Sequence, residues 1–155
     1  MKRILPQIHR LLTQKQKTLA TAESCTGGEL SRLLTSLAGS SRFFILGVVA
    51  YHNRAKNEVL KIPSRLIIKN GAVSKAIASS MAQNIRRLAG SDLGLGITGI
   101  AGPTGGAPAK PVGTVFIAVS SPDKTICRKF LFSGSRAAIR KKSALKTLQL
   151  LKSFI

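Results

Sequence analysis

Short apolar runs that break directly into glycine-bearing turns, each set between segments of helical periodicity, leave few folds open to this chain. Residues 18–22 form a brief apolar run leading into Glu23-Ser-Cys-Thr-Gly-Gly28. Residues 43–51 are almost continuously apolar and include Val48 and Val49, the pattern of a strand covered on both faces. Residues 93–98 make a third run, which opens into a loop over 99–113 rich in glycine and proline. Ile4, Ile8, Leu11 and Leu12 mark an amphipathic helix over 3–16, and Leu30, Leu33, Leu34 and Leu37 a second that stops at Gly39. A short helix is expected over 53–60, ending before Pro63. Ser74 can cap a longer one reaching about Leu88, with Ala76, Ile77, Met81 and Ile85 inward. Residues 114–120 and 125–132 predict two strands joined by a Ser-Pro-Asp turn. A final basic helix, starting near Ser135, carries Ile139, Leu145, Leu148 and Leu151.

This alternation predicts an α/β fold: a three-layer α/β/α domain with a largely parallel central sheet. The functional loops of such sheets lie beyond the carboxyl ends of the strands, which gathers residues 23–28, 51–56 and 98–113 at one edge. No repeat, linker or shift of composition divides the chain, so a single domain over 1–155 is expected.

Composition narrows the chemistry. An apolar fraction of 44% argues for an ordered core. No run approaches the roughly 18 apolar residues of a membrane helix. The basic N-terminus lacks the apolar stretch and small-residue cleavage site of a secretory signal. Cys25 and Cys127 are too few for a disulfide scaffold, so reduced thiols and a cytoplasmic location are expected. Five carboxylates and two distant histidines give no metal-ligand cluster and no carboxylate pair for acid–base work. What remains is hydroxyl, lysine and backbone chemistry, which a hydrolase built on Ser24 fits.

Three segments could carry it. A strand entering a helix through Ser24, Cys25, Thr26, Gly27 and Gly28 exposes backbone N–H groups to an anion or a developing oxyanion, although a plain helix cap uses the same residue types. In Tyr51-His-Asn-Arg-Ala-Lys56, a desolvated lysine could serve as base toward a serine hydroxyl, with Tyr51 as relay. An ordinary surface lysine is the simpler reading of Lys56, and a capping group that of His52. The loop after Thr98 and Gly99 is stiffened by prolines and suits a shaped ligand contact.

The ordered set Glu23-Ser-Cys-Thr-Gly-Gly28, Tyr51-x-Asn-x-Ala-Lys56, Gly71-Ala-Val-Ser74, Thr98-Gly-Ile-Ala-Gly-Pro103 and Lys110-Pro-Val-Gly113 resembles the C-terminal domain of the competence-damage-inducible protein family, the nicotinamide mononucleotide deamidases. The resemblance covers residues 4 to 150. It implies hydrolysis of nicotinamide mononucleotide to nicotinic acid mononucleotide and ammonia in pyridine nucleotide salvage, with neither metal nor other cofactor. Carried onto this sequence, it implies Ser24, Lys56 and Tyr51 as the catalytic set. Cys25, Thr26, Gly27, Gly28, Thr98 and Gly99 would contact the substrate, with Arg136 and Arg140 for its phosphate. It further implies a homodimer, and a stand-alone form without the family's N-terminal domain. Ser135 departs from the usual Asp, and His52 from a usual Ser or Thr.

The net charge of +20, from 25 Lys and Arg against five Asp and Glu, is not implied by the resemblance. Such a surface attracts phosphate-bearing partners, and non-specific contact with nucleic acid is one expectation. The rival to the enzyme is therefore a catalytically inactive nucleotide- or nucleic-acid-binding module of the same fold. One Tyr and no Trp offer little interleaving for base stacking.

Overall fold

The computed structural model describes residues 4–155. Twelve elements follow in order: α1 (Ile4–Gln14), β1 (Leu19–Glu23), α2 (Glu29–Leu34), a 3-10 turn (Ser40–Arg42), β2 (Phe44–Val49), α3 (Asn53–Glu58), α4 (Ser64–Asn70), α5 (Lys75–Ala89), β3 (Leu93–Gly99), β4 (Thr114–Ser120), β5 (Thr125–Leu131) and α6 (Arg136–Phe154). Arg3, the first residue of the expected opening helix, lies outside the described residues.

The strands form one mixed sheet in the order β2-β1-β3-β4-β5. The β2-β1-β3 portion is parallel, and β3-β4-β5 is an antiparallel meander. One helical layer, α1, α2 and α6, covers the face carrying Leu19, Leu95, Ile97, Val115 and Ile117. The other layer, built on α5 with α3 and α4, covers Ala20 and Ala22 with Ile77, Met81 and Ile85. Each such large side chain stabilises the fold by about 1.5–3 kcal/mol on burial.

Strand β3 shows why its sequence alternates Leu-Gly-Leu-Gly. Its leucines point to the α6 layer, while Gly94 and Gly96 face α5 and let the helix backbone approach closely. A Cβ on Gly96 would stand 2.3 Å from the carbonyl oxygen of Ala78, and one on Gly94 2.1 Å from that of Ala82. Helix α5 begins where expected: the Ser74 hydroxyl accepts from the Ile77 N–H at 3.3 Å. Ser135 caps α6 in the same way through the Ala138 N–H.

Two sequence expectations need correction. Strand β2 is not covered on both faces. It is an edge strand whose residues alternate between half-buried and exposed, with Ile45 and Val49 about half exposed. An apolar run of this length fits a central or an edge position, and only the neighbours decide which. Helix α4, after Pro63, was absent from the expected elements; seven residues give too short a periodic signal.

The parallel portion positions the site. Glu23 is in register with Val49 on β2 and Ile97 on β3, so β1 and β2 end at one level and β3 two residues beyond it. The segments that follow each of them therefore leave from the same edge.

Candidate active site

At that edge lies a cavity of about 270 Å³, lined among others by Ser24, Cys25, Tyr51, Lys56, Thr98, Gly99 and Arg136. Ser24 follows the last residue of β1, its N–H held by the Ile97 carbonyl at 3.0 Å. The tie fixes the hydroxyl at the floor of the cavity, where Ser24 is 8% exposed.

Lys56 enters from the last turn of α3 and is 1% exposed. Its Nζ lies 3.1 Å from the Ser24 Oγ, 2.9 Å from the carbonyl oxygen of Ala50 and 3.2 Å from that of Tyr51. Two of these neighbours can only accept. A neutral amine meets all three by donating two N–H bonds to the carbonyls and turning its lone pair to the Ser24 hydroxyl, which then donates. Burial lowers the Lys56 pKa from its ordinary value. No Asp or Glu lines the cavity to restore the charge. The arrangement is that of a hydroxyl beside a deprotonatable base.

Cys25, adjacent to the serine, is in a different state. Burial pushes its thiol up to about 12, so it stays protonated and is a poor nucleophile near neutrality. Glu23 does not line the cavity; its buried carboxylate accepts from the N–H groups of Gly28 (3.1 Å), Leu30 (3.0 Å) and Ser31 (2.8 Å) and from the Ser31 hydroxyl (2.6 Å). The first-turn donors of α2 are thus taken by the protein's own carboxylate. The Cys25 and Thr26 amides, by contrast, donate to no backbone carbonyl among the described residues.

The other sequence-derived residues separate into two groups. Thr98 lies against the cavity, and its hydroxyl donates to the Ala72 carbonyl at 2.8 Å, tying the 71–74 loop to β3. Tyr51 is 55% exposed; its hydroxyl meets neither Ser24 nor Lys56 but accepts from the Arg136 guanidinium. Arg136 also donates to the Gly102 carbonyl at 2.7 Å and so bridges the cavity mouth. Thr26, Gly27, Gly28 and Arg140 are absent from the lining. Arg140 reaches around α2 to donate to the Thr26 carbonyl at 3.0 Å and supports the turn from outside. His52 caps α3, its Nδ1 accepting from the Arg54 N–H.

Sequence reasoning gave no role to Glu23 or Asn53. Glu23 could have been found as an acid placed just before a glycine turn into a helix, since such carboxylates complement exposed N–H groups. Asn53 lines the cavity; its position in Tyr51-x-Asn-x-Ala-Lys56 was the available signal.

A match to the CinA C-terminal domain runs over residues 1–155. The chain belongs to that family. It is 50% identical over 145 residues to a putative competence-damage inducible protein of Desulforudis audaxviator, covering 94% of this chain and 35% of that one. It is 50% identical over 148 residues to a CinA-like protein of Syntrophotalea carbinolica, covering 96% and 36%. The chain thus spans about a third of the length of these relatives. Among solved structures, the competence damage-inducible protein A of Klebsiella pneumoniae superposes with a TM-score of 0.94 at 33% identity, over 97% of this chain and 93% of that chain. The competence/damage inducible protein CihA of Agrobacterium tumefaciens gives 0.95 at 32% identity, over 98% and 93%. The same family therefore accounts for the mixed sheet with its parallel portion and the helices on both faces.

Proposed function

We propose that this chain is an amidohydrolase that converts nicotinamide mononucleotide and water to nicotinic acid mononucleotide and ammonia through an acyl-enzyme on Ser24. The observation that carries the reading is the buried Lys56 amine, held by two carbonyls with its third direction on the Ser24 Oγ at 3.1 Å. Family membership and a cavity that offers the Arg136 guanidinium and no carboxylate support an anionic substrate.

The Ser24 oxygen bonds to the carboxamide carbon as its proton passes to Lys56 Nζ. The positive pyridinium ring already withdraws electrons from that carbon. The Cys25 and Thr26 amides, bonded to no backbone carbonyl among the described residues, would receive the oxyanion, an interaction worth about 3–4 kcal/mol per donor. Lys56 returns the proton to the amide nitrogen, the C–N bond breaks and ammonia leaves. Water then adds to the ester, again giving its proton to Lys56, and the serine departs with that proton. The 3.1 Å separation supports direct action of Lys56. Tyr51 and Arg136, bonded to each other at the mouth, would orient the substrate, with Arg136 toward its phosphate. The same reading expects a homodimer in the cytoplasm and no cofactor.

Purified protein incubated with nicotinamide mononucleotide is expected to release ammonia, and a rapid quench should trap the nicotinoyl mass on the Ser24 peptide. Inertness over a broad pH range, or an adduct on another residue, overturns the proposal.

A further inference from the structure

The stretch from Lys124 to Ile155 carries nine Lys and Arg and no Asp or Glu. Of the carboxylates elsewhere, Glu29 also faces Arg140 and Lys141 of the stretch, and the rest are engaged by other partners. Glu23 is taken by the start of α2, and Glu29, Glu58 and Asp92 pair with Arg32, Arg54 and Lys17. Asp92 and Asp123 lie beside Lys124 at one end of the stretch.

Four of the cations form a file. Helix α6 runs back along the edge strand β5, and three contacts fix the alignment. Lys142 Nζ donates to the Ser133 carbonyl at 2.6 Å, Lys146 Nζ stands 5.3 Å over the Phe130 ring, and Lys124 Nζ stands 4.6 Å over the Phe154 ring. Arg128 is exposed and shares a strand face with Ile126 and Phe130, which pack against the α6 side of the sheet. From Lys142 to Phe154 the helix rises about 18 Å, which sets the length of the file.

We propose that the β5–α6 edge, through Lys124, Arg128, Lys142 and Lys146, binds the phosphate backbone of double-stranded nucleic acid without reading its sequence. A linear polyanion matches a linear row of cations, since duplex DNA presents about one charge per 1.7 Å of axis. The aromatic rings lie beneath the lysines, so backbone contact rather than base stacking is the available mode. A bilayer surface fits poorly. Membrane-lying helices turn an apolar face outward, whereas Ile139, Leu148 and Leu151 of α6 are buried against the sheet. The proposal uses none of the cavity residues and stands apart from the hydrolase reading.

The test measures anisotropy of a fluorescein-labelled duplex of arbitrary sequence against salt. Four phosphate contacts give a log–log slope of about −3.6, so affinity falls about 150-fold from 50 to 200 mM salt. Arg128→Gln with Lys146→Gln should halve that slope, reducing the fall to about 12-fold. The pair Lys124→Gln with Lys142→Gln should do the same, which guards against a folding defect in one variant. The charge-matched control Arg65→Gln with Lys69→Gln, on exposed α4 positions, should leave the slope unchanged. Equal losses in control and test variants would reduce the effect to net charge and overturn the proposal. Tighter binding to phosphatidylserine vesicles than to the duplex, with the same sensitivity to the variants, would overturn it in favour of a membrane.

Discussion

Lys56 should leave one pKa in two unrelated measurements. Burial disfavours its ammonium, so the folded chain releases that proton below the ordinary lysine value of 10.5, while the unfolded chain holds it up to that value. Between the two the unfolded state binds one more proton. Stability to unfolding therefore rises with pH across that window, by up to about 1.4 kcal/mol per pH unit. Below the window both states are protonated and the cost of burying the charge is fully present. Above 10.5 both are neutral and that cost is gone. Under the proposed mechanism the neutral amine is also the active form, so kcat/KM should climb with pH through the same folded-state pKa. Lys56→Met keeps the side chain's length and removes its titration. The carbonyls of Ala50 and Tyr51 then lose their donor at about 1–3 kcal/mol each, equally at every pH, so the slope rather than absolute stability is the quantity to read. Urea unfolding between about pH 7 and 11, subtracting the variant from the wild type, isolates the limb. Ser24→Ala should keep the stability limb while losing turnover. An unchanged slope in Lys56→Met, or a wild-type rate flat across the window, would refute the reasoning.

Three further outcomes follow from the same geometry. Cys25→Ala should retain hydrolysis of nicotinamide mononucleotide, because a thiol pushed up to about 12 is protonated in the working range; loss of turnover with folding intact would move the nucleophile to Cys25. Glu23→Ala should lower unfolding stability by at least about 2 kcal/mol in a denaturant titration, since the N–H groups of Gly28, Leu30 and Ser31 and the Ser31 hydroxyl lose their acceptor. Gly96→Ala should cost about 1–3 kcal/mol or more, as its methyl would meet the Ala78 carbonyl at 2.3 Å and push α5 from the sheet; a melting temperature equal to wild type would show that the helix can yield there.

Much of the fold was legible because period and punctuation are local. Leucines three and four residues apart announced α2 and α6, a serine announced the start of α5, and glycines ended the strands. What failed was also local in cause: α4 is too short to show a period, and an apolar run such as β2 carries no mark of its place in the sheet. Cavity contacts were legible only as residue types. Nothing in the neighbourhood of Tyr51 indicates that its hydroxyl meets Arg136, 85 positions away. Nor does the turn at Gly27 reveal that Arg140 braces it from outside.

The sequence by itself therefore determined the inventory: a hydroxyl, an amine and glycine turns, each at the end of an apolar run, with few carboxylates to oppose them. Tertiary structure alone decided their states. Parallel pairing brings the ends of β1 and β2 to one level, which sets a lysine 32 residues away against Ser24. Burial then separates two neighbours in the chain. Ser24 faces the lone pair of a base, while the Cys25 thiol is enclosed where its charged form is too costly to appear, because desolvation depends on what surrounds an atom and not on what precedes it in the chain.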